Sequence, residues 1–173
     1  LHNIGVKAMV RIGSCGALQK GIALGDLILV CGAVRDDGAS KAYVDVRYPA
    51  VADAVLLNCC MESAKALGCR SHVGLAHSHE SFYHEENEQE SAYWSSKGVL
   101  GADMETAALF TIGRLRGVKT ASILNNVVVW GEDTADAIGG YVDGADACAR
   151  GERDEIRVAL EALYRLDKME GAK

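Results

Sequence analysis

One short segment near the start of the chain combines residue types that bind anions. Arg11 lies in an apolar run and is followed at once by Gly13, Ser14, Cys15 and Gly16. Guanidinium groups and backbone amides hold oxyanions such as phosphate, and glycine lets the backbone approach them closely. We therefore predict an anion site in this segment. The alternative is that Arg11 forms an internal ion pair with a carboxylate of the same chain.

A second segment could hold a sugar. Asp103, Met104 and Glu105 place two carboxylates around a methionine where a predicted strand becomes a helix. A carboxylate accepts hydrogen bonds from both hydroxyls of a vicinal diol, and methionine packs against the apolar face of a sugar ring. The alternative is a helix cap at Asp103 with Glu105 in the favourable first turn.

Aromatic and imidazole side chains cluster between these two segments, at residues 72–84. Phe82 and Tyr83 lie in a polar loop, where planar bases could stack on them, or where they could plug the protein beneath the loop. The spacing of the histidines matches no standard metal site, so we expect no metal. These histidines are His72, His77, His79 and His84.

Composition excludes several classes of protein. The 173 residues carry a formal charge of −6, from 18 basic and 24 acidic residues, which opposes binding of nucleic acid over a broad surface. No stretch has the apolar length of a membrane span, and no signal sequence precedes the first strand. The six cysteines show no CxxC pair and no disulfide spacing. We expect a soluble, cytoplasmic protein with reduced thiols.

The elements that must position these residues alternate between strand and helix. Apolar runs predict strands at residues 8–12, 26–34, 71–76 and 118–129, with a glycine turn after the first. Helical spacing predicts a helix from Ala50 to Leu67, ended by Gly68. Two further helices are expected, with apolar faces formed by Ala108, Ile112 and Leu115 and by Ile156, Leu160 and Leu163. This alternation predicts an α/β fold with helices on both faces of the sheet and ligands at the strand ends.

Five ordered motifs resemble one enzyme family. They are residues 11–16 (RIGSCG), 35–40 (RDDGAS), 49–53 (PAVAD), 81–83 (SFY) and 103–108 (DMETAA). Their order and spacing resemble the nucleoside phosphorylases of the uridine phosphorylase and hexameric purine nucleoside phosphorylase superfamily, most closely the uridine phosphorylase branch. The resemblance implies a three-layer mixed sheet flanked by helices. It also implies that residues 1–173 form a single domain, the C-terminal two-thirds of a longer one.

The same resemblance implies a pentosyltransferase that converts a ribonucleoside and inorganic phosphate into free base and ribose 1-phosphate. Phosphate is a co-substrate, and no cofactor is expected. By resemblance, phosphate binds to Arg11 and Ser14, ribose to Asp103, Met104 and Glu105, and the base to Cys15, Gly16, Phe82 and Asn126, with Arg11, Glu105 and Asn126 forming the catalytic set. A homo-oligomer, either a dimer or a trimer of dimers, is expected, with no nucleic-acid or membrane partner.

Departures from the family pattern leave the base open. Asn125 and Asn126 stand where the purine branch has a Ser-Asp pair and the uridine branch an Asn-Arg pair, and an asparagine is no proton donor of useful pKa. Glu86 and Glu88 stand where uracil-reading residues are expected. The leading hypothesis is a uridine-type phosphorylase. The alternatives are phosphorolysis of a 6-oxopurine nucleoside, a hydrolytic nucleosidase and a non-catalytic nucleoside-binding homologue.

Family members also carry residues before the position that matches Leu1. These include a glycine-rich phosphate loop, another phosphate-binding arginine and a histidine offered to the neighbouring subunit. None of these features is found in this sequence, so we expect the chain to be a fragment that lacks part of the phosphate site.

Overall fold

A computed structural model describes residues 1–81, 83–131 and 146–171. The strands are β1 (Ala8–Ala17), β2 (Leu27–Arg35), β3 (Ala50–Val51), β4 (Ser71–Ser78), β5 (Gly101–Asp103) and β6 (Lys119–Val128). The helices are α1 (Gly38–Lys41), α2 (Ala54–Ala66), α3 (Asn87–Ser96), α4 (Thr106–Leu115) and α5 (Asp146–Gly171), preceded by a 3₁₀ turn at His2–Ile4. Within these ranges no helix combines the length and apolarity needed to cross a membrane.

The strands form one mixed sheet that returns on itself. Their order is β3-β2-β4-β5-β1-β6, and β6 also pairs with β2. Strand β1 runs parallel to β6, and β4 runs parallel to both β2 and β5. The pairings of β5 with β1, of β3 with β2 and of β6 with β2 are antiparallel. Because Ala102 pairs with both Gly16 and His77, the short strand β5 holds Asp103 between the ends of β1 and β4.

Helices cover both faces of this sheet. Alternate residues of β2 and β6 point to opposite sides, so Leu29 and Ile123 pack under α2 and α5, whereas Ile28 and Leu124 pack with Phe110 of α4. All of these side chains are fully buried. The predicted mixed α/β sheet flanked by helices is thereby confirmed.

Strand β1 is longer than predicted. The expected glycine turn after Ile12 is absent from this described segment, since pairing with β6 continues from Ala8 to Gly16 with one irregularity at Cys15 and Gly16. Gly13 serves close packing instead of a turn. A Cβ at Gly13 would lie 3.1 Å from an amino nitrogen of Arg11, so the missing side chain leaves room for the guanidinium.

Helix α2 begins four residues later than predicted. Ala50 and Val51 pair with β2 as strand β3, and Asp53 then caps the helix by accepting hydrogen bonds from the amides of Val55 and Leu56, each at 3.0 Å. The predicted end is confirmed, because Gly68 follows the helix with a φ of +69°.

The predicted apolar faces of α4 and α5 coincide only in part with the buried ones, although both helices exist, since Leu163 packs against the core but other members are exposed. In α4 the core side is formed by Ala107 and Phe110, while Leu115 is exposed. In α5 the core side is formed by Val158, Ala159, Ala162 and Leu166, while Ile156 and Leu160 are exposed. Apolar residues occur on both sides of these helices, so apolar spacing alone does not show which side the sheet covers.

Candidate active site

Asp103 organises the start of helix α4. Its side chain is fully buried and accepts hydrogen bonds from the Ser78 hydroxyl at 2.6 Å, from the Thr106 amide at 3.0 Å and from the Thr106 hydroxyl. The Ser78 hydroxyl in turn accepts from the Ala107 amide at 3.0 Å. The structure therefore supports the capping role for Asp103. Both carboxylate oxygens are engaged inside the protein, which argues against the ribose contact that the resemblance implies for this side chain.

Arg11 faces the carboxylates that follow β5. One terminal nitrogen, Nη2, donates to the Glu105 carboxylate, and the other, Nη1, lies 3.6 Å from Oδ2 of Asp103. Nη1 is buried, and no acceptor among the described residues is within hydrogen-bond reach of it. The internal ion pair that the sequence left as an alternative is present, yet part of the guanidinium keeps donor capacity for an anion.

Met104 and Glu105 are the accessible members of the sugar-binding segment. The Glu105 side chain is 61% exposed, and Met104 is 38% exposed. The oxygen of Glu105 that contacts Arg11 also accepts from the Met104 amide at 3.2 Å. Arg11 and Glu105 are 94 positions apart in the chain. The fold thus brings the predicted anion-binding and sugar-binding residues into direct contact.

The residues after Arg11 divide between the two faces of β1. Ser14 is exposed, and the alternation of a strand directs it to the face opposite Arg11. Cys15 packs in the apolar core with Ala107 and Phe110, and burial raises the pKa of its thiol well above the ordinary value. The side chain of Cys15 is therefore a neutral core group instead of the expected wall of a base site. Gly16 lies between its partners in β5 and β6.

Asn126 does not have the position expected for a base-binding or catalytic group. Its side chain is fully buried, and its amide nitrogen donates to the carbonyl of Ala23 at 3.1 Å and approaches that of Ile22 at 3.5 Å. This side chain ties β6 to the loop between β1 and β2, which argues against the predicted contact with the base. Phe82, the remaining predicted base contact, lies outside the described residues.

Two of the predicted histidines pair with carboxylates. Nε2 of His72 lies 3.0 Å from Oδ2 of Asp26, and Nε2 of His77 lies 2.9 Å from Oδ2 of Asp36. Burial lowers the pKa of His77, although Asp36 opposes the shift. In the described ranges, no group of three or more potential metal-ligating side chains comes together.

Glu155 of α5 is a site residue that sequence reasoning missed. It is 4% exposed, and its Oε2 accepts a hydrogen bond from the Gly13 amide at 3.0 Å. Burial raises its pKa to about 7, although the Gly13 amide and Arg11 oppose the shift. A signal was present in the sequence, since Glu155 falls in the helical register of Gly151, Val158 and Ala162, which face the core.

Known proteins are similar to this chain in sequence. A model of the phosphorylase superfamily matches residues 1–140. The uridine phosphorylase of Klebsiella aerogenes is 27% identical, over 96% of this chain and 68% of its own length. The guanosine phosphorylase of Halorubrum lacusprofundi is 34% identical, over 79% of this chain and 58% of its own length. The uridine phosphorylase of Thermococcus kodakarensis is 37% identical, over 71% and 49% respectively.

A solved structure agrees with these relatives. The crystal structure of uridine phosphorylase from Vibrio fischeri ES114 superimposes with a TM-score of 0.84 and 46% identity, over 93% of this chain and 65% of that one. The chain thus spans about half to two-thirds of the length of the proteins it matches. With a family model that covers most of the sequence and a shared fold, this chain belongs to the phosphorylase superfamily.

Proposed function

We propose that the protein catalyses phosphorolysis of a ribonucleoside, releasing the base and forming ribose 1-phosphate. One observation carries this proposal, namely the direct contact of Arg11 on β1 with the exposed Glu105 before α4. A guanidinium with spare donor capacity suits an anion, and an exposed carboxylate suits the hydroxyls of a sugar. The two substrates that must react with each other would therefore bind side by side.

The proposed step transfers the ribosyl group from the base to phosphate. A phosphate oxygen forms a bond to C1′ while the C1′–N bond breaks, and the base leaves with that electron pair and takes up a proton from water. Positive charge develops on the sugar ring in the transition state, and the adjacent phosphate stabilises it. Arg11 contributes by fixing the position of the phosphate.

Met104 and Glu105 hold the sugar in this scheme. The ribose hydroxyls donate hydrogen bonds to Glu105, and the half-buried thioether of Met104 packs against the apolar side of the ring. Asp103 and Ser78 act indirectly, because they fix the first turn of α4 and with it the backbone on which Met104 and Glu105 lie. Ser14 is proposed as a further phosphate ligand on the resemblance alone, since strand alternation directs its exposed side chain to the face opposite Arg11.

The preferred base is proposed to be uracil. Two of the relatives named above are uridine phosphorylases, as is the solved structure. A purine nucleoside is the second candidate, because the Halorubrum relative is named a guanosine phosphorylase and this chain has no arginine at Asn126. The burial of Asn126 favours neither base, since its side chain bonds to the protein itself.

Phosphate dependence tests the proposal. The full-length protein is incubated with uridine, inosine, guanosine and adenosine, each with and without phosphate, and free base and ribose 1-phosphate are measured. We expect base release that requires phosphate and is fastest with uridine. Base release that ignores phosphate would identify a hydrolytic nucleosidase. Nucleoside binding by calorimetry without any product would identify a non-catalytic binding protein.

A variant at Glu105 separates binding from folding. Glu105→Ala should abolish ribose affinity and turnover but leave the unfolding temperature nearly unchanged, because an exposed ion pair contributes little to stability. The matched control is Glu62→Ala on α2, where the carboxylate is also exposed and lies outside the site. Equal activity of the Glu105 variant and the control would contradict the assignment.

Location and assembly complete the proposal. All six cysteines are free, which supports a reducing compartment such as the cytoplasm. A homo-oligomer, as a dimer or a trimer of dimers, is proposed on the family resemblance. Light scattering on the purified full-length protein measures the assembly, and a monomer at working concentration would contradict it.

A further inference from the structure

Glu155 lies directly behind the proposed anion site and takes no part in the reaction described above. Helix α5 carries it beneath β1, where the carboxylate is buried and accepts the Gly13 amide hydrogen at 3.0 Å. The Arg11 guanidinium lies over Gly13. A Cβ added at Gly13 would be 3.1 Å from Nη1 of Arg11. Glu155 therefore touches the backbone that supports the anion-binding side chain.

The charges around Arg11 are unbalanced. One guanidinium faces the carboxylates of Glu105 and Asp103 and interacts electrostatically with the buried Glu155. With all three carboxylates ionised, the described part of this site is already negative before an anion arrives. A bound dianion would be repelled at short range in a poorly solvated environment.

Glu155 is the carboxylate best placed to relieve this repulsion. Both carboxylate oxygens of Asp103 already accept hydrogen bonds from Ser78 and Thr106, and Glu105 is open to solvent. A protonated Glu155 loses its charge and still accepts the Gly13 amide hydrogen through its carbonyl oxygen. Burial already brings the pKa of this group to about 7, close to the pH at which such a change is useful.

We propose that Glu155 is a positioning residue that couples anion binding at Arg11 to the uptake of a proton, so that the anion binds best when Glu155 is neutral. This inference rests on the proposed phosphate site. The titratable or charged groups that face Glu155 in the described structure are Arg11 and Cys15 of β1 and Glu152 of α5, while β6 presents the backbone of Asn125. Cys15 stays neutral because burial raises the pKa of its thiol, so Glu155 is the group that changes charge.

Sulfate binding as a function of pH tests the coupling. Sulfate remains a dianion from pH 6 to pH 8, whereas phosphate changes its own charge in this range. We expect the dissociation constant of sulfate for the full-length protein to rise up to about ten-fold between pH 6 and pH 8. In Glu155→Gln, which mimics the neutral acid, the constant should stay flat and close to the value of the unsubstituted protein at pH 6.

Glu161→Gln is the matched control, because it makes the same chemical change on α5 at a residue paired with Arg165 outside the site. It should keep the full pH dependence. Equal pH profiles for the unsubstituted protein and Glu155→Gln would overturn the coupling while leaving the anion site intact. No binding of sulfate or phosphate at any pH would overturn the anion site itself, and the coupling with it.

Calorimetry decides the question without any variant. At pH 7.5, the enthalpy of sulfate binding is measured in buffers that differ in ionisation enthalpy, and the difference gives the number of protons taken up. We expect uptake of a large fraction of one proton. Binding without proton uptake would overturn the inference even if Glu155→Gln failed to fold.

Discussion

Two arginines end up largely enclosed at the sheet, and they differ in what remains of their donor capacity. Arg35 ends β2 and is 6% exposed. Its guanidinium donates to the hydroxyl of Ser40 and to the carbonyls of Ser40, Val44, Asp45 and Tyr48, at 2.5 to 3.0 Å. Arg11 instead has one hydrogen-bonded nitrogen, Nη2, on Glu105 and a buried Nη1 without an acceptor among the described residues.

This difference separates a structural arginine from a candidate ligand-binding one. A guanidinium has five N–H donors, and Arg35 uses its donors to close the loop after β2, where Asp37 also fixes Ser40. Nothing remains at Arg35 for a ligand. At Arg11 the partners are charged carboxylates, one of them exposed, so a competing anion can share the guanidinium.

Replacing Arg11 is expected to have the largest effect. Arg11→Ala should lower kcat/KM for phosphate about 1000-fold, on the order of 4 kcal/mol of transition-state stabilisation, because the group that positions the phosphate is lost. Arg11→Lys should recover little, since an ammonium cannot reproduce the fork of two nitrogens. Initial rates at varied phosphate concentration measure the effect. An unchanged phosphate KM in Arg11→Ala would remove the anion site from β1.

The corresponding substitution of Arg35 should affect folding instead of catalysis. Arg35→Ala is expected to lower the free energy of unfolding by about 3 kcal/mol, because several carbonyl groups lose a charged donor and the α1 loop loses its anchor. Urea titration followed by fluorescence measures this loss. At a temperature where the variant is folded, kcat/KM should stay within about three-fold of the unsubstituted protein. A large loss of activity with unchanged stability would show that Arg35 acts in the reaction and not in folding.

The pH dependence of stability provides a third contrast, because the buried carboxyl of Glu155 lies near Arg11, whereas Arg35 donates to uncharged hydroxyl and carbonyl groups. The pKa of Glu155 rises from 4.5 to about 7, so the unfolded chain releases this proton first and stability falls as pH rises through that window. Glu155→Gln cannot ionise and escapes the loss. Relative to the variant, the unsubstituted protein should lose about 2 to 3 kcal/mol of unfolding free energy between pH 4.5 and pH 8.

Urea titrations at both pH values measure this difference, with Glu161→Gln as the control that should follow the unsubstituted protein. Parallel stability curves for the unsubstituted protein and Glu155→Gln would show that Arg11 and the Gly13 amide compensate the buried carboxylate fully.

The comparison of the two arginines also shows what a sequence can predict. Both lie in recognisable motifs, and the fold class, most strands and the family follow from such motifs and from apolar periodicity. Whether all N–H donors of an arginine are hydrogen-bonded cannot be read from a motif, because the carbonyl groups that accept from Arg35 are brought to it only by the folded loop. Register was equally decisive, since the strand pairing of β1 and β6 sends Cys15 into the core and Asn126 toward the loop at Ala23.

Helix phase explains the other failures. In α5, Ile156 and Leu160 suggested a core face, but the sheet covers the side that carries Glu155 and Val158. In the sequence, one charged residue among small apolar residues is a weaker indication of a buried helix face than two large aliphatic residues, even though those two are exposed in the structure. The sequence left two roles open for Asp103, a helix cap and a ribose contact, because only the proximity of Ser78 from β4 shows that its carboxylate is already engaged.

The smallest predicted effect concerns Gly13, the residue of β1 over which the Arg11 guanidinium lies. In Gly13→Ala the new Cβ would approach Nη1 at 3.1 Å, so the guanidinium must shift by a few tenths of an ångström while its charge is kept. We expect the phosphate KM to rise about five-fold and the unfolding free energy to fall by about 1 kcal/mol, since small misplacements of a positioning group cost rate before they cost folding. Steady-state kinetics and urea titration check both values. The control is Gly171→Ala at the end of α5, where a Cβ would meet nothing within 4 Å, and it should leave the phosphate KM close to that of the unsubstituted protein. If Gly13→Ala leaves the phosphate KM unchanged, the guanidinium is not held in one place by β1, and the distinction between a fixed Arg35 and a pre-positioned Arg11 is lost.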